Sequence, residues 1–377
     1  MVAGAGLCNN APSATMRRFR RPAVRVRARS GARHMPPAFP TVLLPMLRIP
    51  TLFVAVVLSF AVLPAAHAAD HARWPTASDG QPRVGVQVKI QSFTPDDARQ
   101  IRQTGFDFVR FGVWTDRLDR ADYPRQIDDA FVAARSARLP VLLTVRTLTR
   151  FRRADRQREE AQVDRESLAA TGARLAGTVT RLAAQYGHAL VALELWNEPD
   201  LDRYWSTGDV AHTFPPFAEG LYGGSAARRP DVPVVGFGFA RPPLPGSVPD
   251  RLLADVYAAS PAYLDAVSYH AYGMTPMQIR DAARDIRARY GLSALVTEDG
   301  AASAGVDGDA RQARRVRTLL DARATLGTPL LSVYEWIDTP NANDAVQRSY
   351  GLVRADRSPK LALDAASTSL RTTTSKP

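Results

Sequence analysis

RVGVQVKIQSFTPDDARQIRQT, residues 83–104, is the stretch that decides the fold. Its first part is a short apolar run, 84–88, that reads as a buried strand. Thr94-Pro95-Asp96-Asp97 then opens a helix over 94–104, with a capping threonine, proline at the first helical position and acids in the first turn. Where a nucleotide-binding sheet would carry a glycine-rich phosphate turn, this chain has Val86-Gln87-Val88-Lys89. That argues against a doubly wound open sheet, the competing fold.

The same unit recurs along the chain. Further strand-like runs fall at 106–113, 140–145, 189–196, 232–239, 264–271, 293–297 and 329–336. Helical patterns lie between them at 126–137, 166–186, 250–259, 276–290 and 309–326, and a last one follows at 358–370. Eight β/α units in about 290 residues predict an α/β protein whose single folded domain, residues 69–377, is a (β/α)8 barrel. The polar stretches 146–164 and 338–347 follow strands three and eight, so they are expected as loops over the barrel mouth.

The overall charge is misleading. The chain has 49 Lys and Arg against 37 Asp and Glu, a formal +12, but nine of the arginines precede the first acid, Asp70. Without them the net is about +3 and the charges are mixed, so no nucleic-acid partner is expected. Residues 1–45 read as a disordered basic leader, or as sequence upstream of a true start at Met46. Residues 46–68 read as a secretory signal: Arg48, an apolar centre over 51–63, and Ala66-His67-Ala68 as the small-x-small cleavage site. That centre is shorter than the roughly 20 residues needed to span a bilayer, so no membrane association is expected after cleavage. The protein is then expected in the periplasm or outside the cell. The one cysteine, Cys8, lies in the leader, which excludes internal disulfides and thiolate metal sites from the folded domain. The histidines of that domain (71, 188, 212 and 270) are scattered, and no Gly-x-Ser-x-Gly elbow or phosphate loop is present. No metal and no cofactor are expected.

Strand four ends in Leu195-Trp196-Asn197-Glu198-Pro199 and strand seven in Val296-Thr297-Glu298-Asp299-Gly300. In a barrel both glutamates stand at carboxyl-terminal strand ends and face each other across the mouth. Two opposed carboxyl groups are what glycosidic cleavage needs. A separation of roughly 5–5.5 Å implies retention, and about 6.5–9.5 Å inversion.

The Trp-Asn-Glu-Pro and Thr-Glu-Asp-Gly runs resemble the two catalytic signatures of glycoside hydrolase clan A, retaining (β/α)8-barrel enzymes. The likeness is greatest to its family 5 and family 39 types and to bacterial exopolysaccharide glycosidases. The resemblance implies a glycosidase that cleaves β-linked polysaccharide or oligosaccharide by double displacement, with Glu198 as acid/base and Glu298 as nucleophile. It also implies that Arg110 orients the nucleophile, that Asn197 binds a sugar hydroxyl, that His270 and Tyr272 stand beside the nucleophile, and that Trp336 floors the central sugar subsite. The late run Tyr350-Gly351-Leu352-Val353 is similar to one in such proteins. Asp299-Gly300 departs from the aromatic residue or Phe-Gly that many relatives carry after the nucleophile. Trp114, Tyr204 and Trp205, after strands two and four, are expected at outer sugar subsites. Competing readings are a catalytically silent carbohydrate-binding barrel and a transglycosylase; the intact carboxylate pair favours an enzyme over the silent barrel.

Overall fold

The first β/α unit forms as its residues dictate. The Thr94 hydroxyl accepts the Asp97 N–H, and the Asp97 carboxylate accepts the Thr94 N–H, a reciprocal cap that starts the helix. Gly105 ends it in the left-handed conformation, φ 110°. The structure is a computed structural model that describes residues 81–147, 165–201, 203–205, 207, 209–225 and 231–372. The leader and signal expected at 1–68, and 148–164 of the expected loop after strand three, lie outside the described residues.

Among the described residues, eight strands alternate with eight α-helices in the order β1 (Arg83–Gln87), α1 (Pro95–Thr104), β2 (Phe108–Trp114), α2 (Tyr123–Ser136), β3 (Val141–Arg146), α3 (Arg165–Tyr186), β4 (Leu190–Leu195) and α4 (Val210–Ser225), followed by β5 (Val234–Phe239), α5 (Val248–Ala259), β6 (Ala266–His270), α6 (Pro276–Tyr290), β7 (Ser293–Asp299), α7 (Gly308–Asp321), β8 (Leu330–Val333) and α8 (Leu361–Arg371). All neighbouring strands pair in parallel, and β8 pairs with β1, so the sheet is a closed (β/α)8 barrel. The predicted fold class stands. Strand eight is shorter than expected because the chain leaves the ladder after Val333.

The sequence reading contained no helix between strands four and five, where α4 lies. Pro215, Pro216 and Gly220 weaken the local helix signal there. Packing supplies what propensity lacks. A β-carbon on Gly172 of α3 would stand 2.0 Å from the Phe217 carbonyl, and one on Gly220 of α4 1.9 Å from the Ala169 carbonyl. The two helices therefore cross with their backbones in contact.

Two apolar layers hold the barrel. One, between strands and helices, is built from residues such as Ile101, Phe131, Leu221 and Ile286. The other gathers Phe108, Leu142, Ala192, Val235, Ala266, Leu295 and Leu330 from seven successive strands. Gly85 makes room for that layer, since a β-carbon there would lie 2.3 Å from the Phe108 ring. Two residues further along β2, β3 and β4, on the same face by the period of a strand, come Arg110, Thr144 and Glu194. The apolar floor thus carries a buried polar layer, and the site opens above it. Among the described residues no helix is long and apolar enough to cross a membrane.

Candidate active site

The turn after β4 sets the first carboxylate. Trp196 and Glu198 both have positive φ, 69° and 52°, a conformation that costs a non-glycine residue roughly 1–3 kcal/mol and persists only where its surroundings enforce it. The Trp196 N–H donates to the Val145 carbonyl and the Glu198 N–H to the Gly238 carbonyl, which pins the turn between β3 and β5. Trp196 itself is buried, its ring 5.1 Å edge-on from those of Trp205 and Phe217. The second carboxylate depends on a break in register. Tyr269 is opposite Val296, yet the next residue, His270, is opposite Glu298, so strict alternation fails near the end of β7. Glu298 and Glu198 both line one cavity of about 200 Å³ at the barrel mouth, together with Arg110, Trp114, Arg146, Asn197, Tyr204 and Tyr334.

Arg110 is the hub of the buried layer. Its Nε and Nη2 donate to Glu194 Oε2 at 2.8 and 2.6 Å, and its Nη1 donates to Glu298 Oε1 at 2.5 Å and Gln87 Oε1 at 2.8 Å. Nη2 also reaches Asn197 Oδ1 at 3.0 Å, so what Asn197 offers the cavity is its N–H2. Burial works against the guanidinium charge, but Glu194 and Glu298 outweigh it and raise the pKa. The Tyr272 hydroxyl donates to Glu298 Oε2 at 2.9 Å. His270 lies between the two carboxylates, with Nδ1 3.0 Å from Glu198 Oε1 and Nε2 3.5 Å from Glu298 Oε1.

These contacts set the charges. Burial pushes the Glu298 carboxyl up, but His270 and Arg110, with hydrogen bonds from Arg110 and Tyr272, more than offset this and hold it below the usual carboxylate value. Burial pushes the His270 imidazole down; the Glu298 charge and the contact with Glu198 reverse that and raise it. Arg203, at the rim, places Nη2 3.3 Å from Glu198 Oε2.

Arg110, Asn197, His270 and Tyr272 therefore all converge on the two carboxylates, and Trp114 and Tyr204 line the cavity. Two aromatic expectations are corrected. Trp336 is 1% exposed; its indole N–H points to Asp97 Oδ1 at 3.3 Å, away from the cavity, because the chain has already left β8. Tyr334, two residues earlier, lines the mouth instead and packs edge-on against Tyr272 and Tyr350. Trp205 is also 1% exposed, ringed by Trp196, Phe214 and Phe217, with its N–H given to the Thr213 hydroxyl. It braces the Glu198 turn and cannot meet a sugar.

Sequence reading missed Glu194, Arg146 and Glu335. Glu194 stood in plain view as a lone charge inside the apolar run Val191–Leu195, and a buried acid needs a cation. Glu335 is buried and pairs with Lys89 at 2.5 Å. The unusual Asp299 is wholly buried and bonded to Arg315 of α7, while Gly300 is required because a β-carbon there would stand 2.1 Å from the Tyr334 carbonyl. In the loop at 338–347, Asp338 accepts from Lys360 at 2.6 Å, which ties the loop to the start of α8.

A closed parallel barrel whose mouth holds two carboxylates joined through a histidine defines the class of this fold and site. No protein-family model matches the chain, and no curated protein matches it in sequence. Solved structures do. A family 39 glycoside hydrolase from the gut symbiont Bacteroides cellulosilyticus WH2 superposes with a TM-score of 0.56 at 18% identity, over 77% of this chain and 64% of that one. An exo-β-1,4-mannosidase from Opitutaceae bacterium strain TAV5 gives 0.57 at 17% identity, over 81% and 62%. A monomeric β-xylosidase from Caulobacter crescentus CB15 gives 0.55 at 17%, over 78% and 69%. The match thus spans somewhat less than two thirds of the first two proteins. At these identities the likeness is one of fold.

Proposed function

We propose that the protein is a retaining glycoside hydrolase that cleaves β-linked polysaccharide or oligosaccharide, with Glu298 as nucleophile and Glu198 as acid/base. The observation that carries this reading is the paired carboxylates at the ends of β4 and β7, one of them held ionised by Arg110 and Tyr272. Glu298 attacks the anomeric carbon as the bond to the leaving oxygen breaks, and Glu198 gives that oxygen its proton. Water then attacks the same carbon, Glu198 takes the water's proton, and the Glu298 carboxylate is released.

The surroundings fit those roles. A nucleophile must be charged at working pH, and the Arg110 and Tyr272 bonds favour the charged form. When Glu298 becomes an ester its charge disappears, and His270, between the two groups, feels that change directly. Asn197 lies next to Glu198 and turns its N–H2 toward a bound sugar. The fold shared with a family 39 hydrolase, a mannosidase and a xylosidase supports the same reading. The export segment expected at 46–68 would deliver the enzyme to glycans in the periplasm or beyond. Incubation with a panel of β-linked polysaccharides, with Glu298→Gln alongside, tests the proposal. Sugar release lost in the variant is the expected result; equal release by both proteins, or binding of a cleavable glycan without release, would defeat it.

A further inference from the structure

Arg146 is the last residue of β3, and it lines the cavity with Thr144, Trp114 and the two catalytic-site carboxylates. It is 9% exposed, and its guanidinium lies 4.8 Å over the Tyr204 ring. That guanidinium makes no hydrogen bond or ion pair with any described residue. The contrast with two other buried cations is sharp: Arg110 is held by Glu194 and Glu298, and Lys360 by Asp338. A buried cation without a direct partner is among the costlier arrangements a fold tolerates. Burial depresses the Arg146 pKa, and the attraction of Tyr204, Glu198 and Glu298 only partly offsets this. A second guanidinium, Arg203, lies over the same Tyr204 ring at the exposed rim.

An uncharged sugar leaves this cation without a direct counter-charge among the described residues, since hydroxyl groups replace only part of its hydration. An acidic sugar meets the opposite difficulty, because Glu198 and Glu298 repel its charge from the mouth. Arg146 resolves both, for its flat fork matches two anionic oxygens on one group. We propose that the glycan taken by this site is anionic, and that the unit seated beside the carboxylate pair carries a carboxylate or sulfate ester received by Arg146. This rests on the glycosidase reading for the site and adds to it the charge of the substrate.

The test measures binding to the full-length Glu298→Gln protein, in which cleavage is blocked. The probes are a β-linked uronic acid oligosaccharide, a sulfated oligosaccharide of similar length and their neutral parent. The expected result is tighter binding of one acidic probe than of the neutral parent, and which one binds identifies the anion. Adding Arg146→Met should weaken the acidic probe about 10- to 150-fold, the range for a hydrogen bond to a charged group, and change the neutral one far less. Arg146→Lys, which keeps the charge but not the fork, should recover part of the loss. The melting temperature of Arg146→Met should not fall, since a buried charge with no direct partner among the described residues has been removed; a purely structural arginine would lower it. Equal or preferred binding of the neutral parent, equal loss for both probes, or no binding of any probe would overturn the proposal. Arg146-dependent binding of an acidic glycan that the wild type never cleaves would keep this inference and defeat the hydrolase reading. Cleavage of neutral glycans alone would do the reverse.

Discussion

Glu194→Gln is the perturbation the buried layer makes most informative. Glu194 is fully buried, and its Oε2 accepts from Arg110 Nε at 2.8 Å, Arg110 Nη2 at 2.6 Å and the Thr144 hydroxyl at 2.7 Å. Glutamine keeps the shape and one acceptor oxygen but removes the charge that balances Arg110. Its new N–H2 has little to donate to, because the other side-chain oxygen of Glu194 has no protein partner now and sits near Gly238. Removing one member of a buried pair typically costs about 3–5 kcal/mol. In a domain of this size each kcal/mol moves the melting temperature by about 2 °C, so a fall of about 6–10 °C is expected. Scanning calorimetry or a circular-dichroism melt at neutral pH reads it directly. Thr144→Val, which removes one hydroxyl donor to the same charged oxygen, should cost about 1.5–3 kcal/mol, or roughly 3–6 °C. A Glu194→Gln melt within 2 °C of wild type would refute the reasoning, because Arg110 would then need no counter-charge beyond Glu298.

Tyr272→Phe removes a 2.9 Å hydrogen bond to ionised Glu298, worth about 1.5–3 kcal/mol, so the Glu298 pKa should rise by about 1–2 units. Carbon-13 NMR of the labelled carboxyl, or the acid limb of the activity profile, should show that rise, and an unmoved limb would count against the Tyr272 contact. Asp299 is raised to about 6 by burial, with Arg315 opposing. The native state therefore binds a proton more tightly than the unfolded chain between about pH 3.8 and 6, and stability falls as pH rises through that window. Asp299→Asn should lack this fall, so its stability relative to wild type should improve by about 2.4 kcal/mol from pH 4 to pH 7, measured by denaturant titration. Parallel curves for the two proteins would show that Asp299 does not titrate there. Trp205→Ala should destabilise by about 3–5 kcal/mol as a core cavity. Weaker glycan binding with an unchanged melting temperature would instead return Trp205 to a sugar subsite.

The fold was legible because its signals are local. Apolar runs of strand length, the Thr94 cap and the proline-led helix starts each act within a few residues, and the strand–helix alternation then leaves few ways to close a sheet. The helix α4 escaped notice because what holds it is the backbone contact between Gly172 and Gly220, far apart in sequence. The site was legible in part. Glu198, Glu298, Asn197, His270 and Tyr272 stand at or just past strand ends, and Arg110 within β2 on the inward face, where the topology brings them to one mouth. Glu194 could have been suspected as a charge within an apolar strand, but its partner could not have been named.

The sequence by itself determined the barrel and the pair of carboxylates that crown it, since both follow from strand order and residue type at strand ends. Only the tertiary structure decided which side chains beyond those ends turn inward. Tyr334 rather than Trp336 reached the cavity, Trp205 went into the core, and Arg146 was left buried with no ion-pair partner among the described residues. The reason is that two-residue alternation holds only within the ladder. Past the register break at β7, the strained turn after β4 and the early end of β8, a side chain's direction is set by what it packs against.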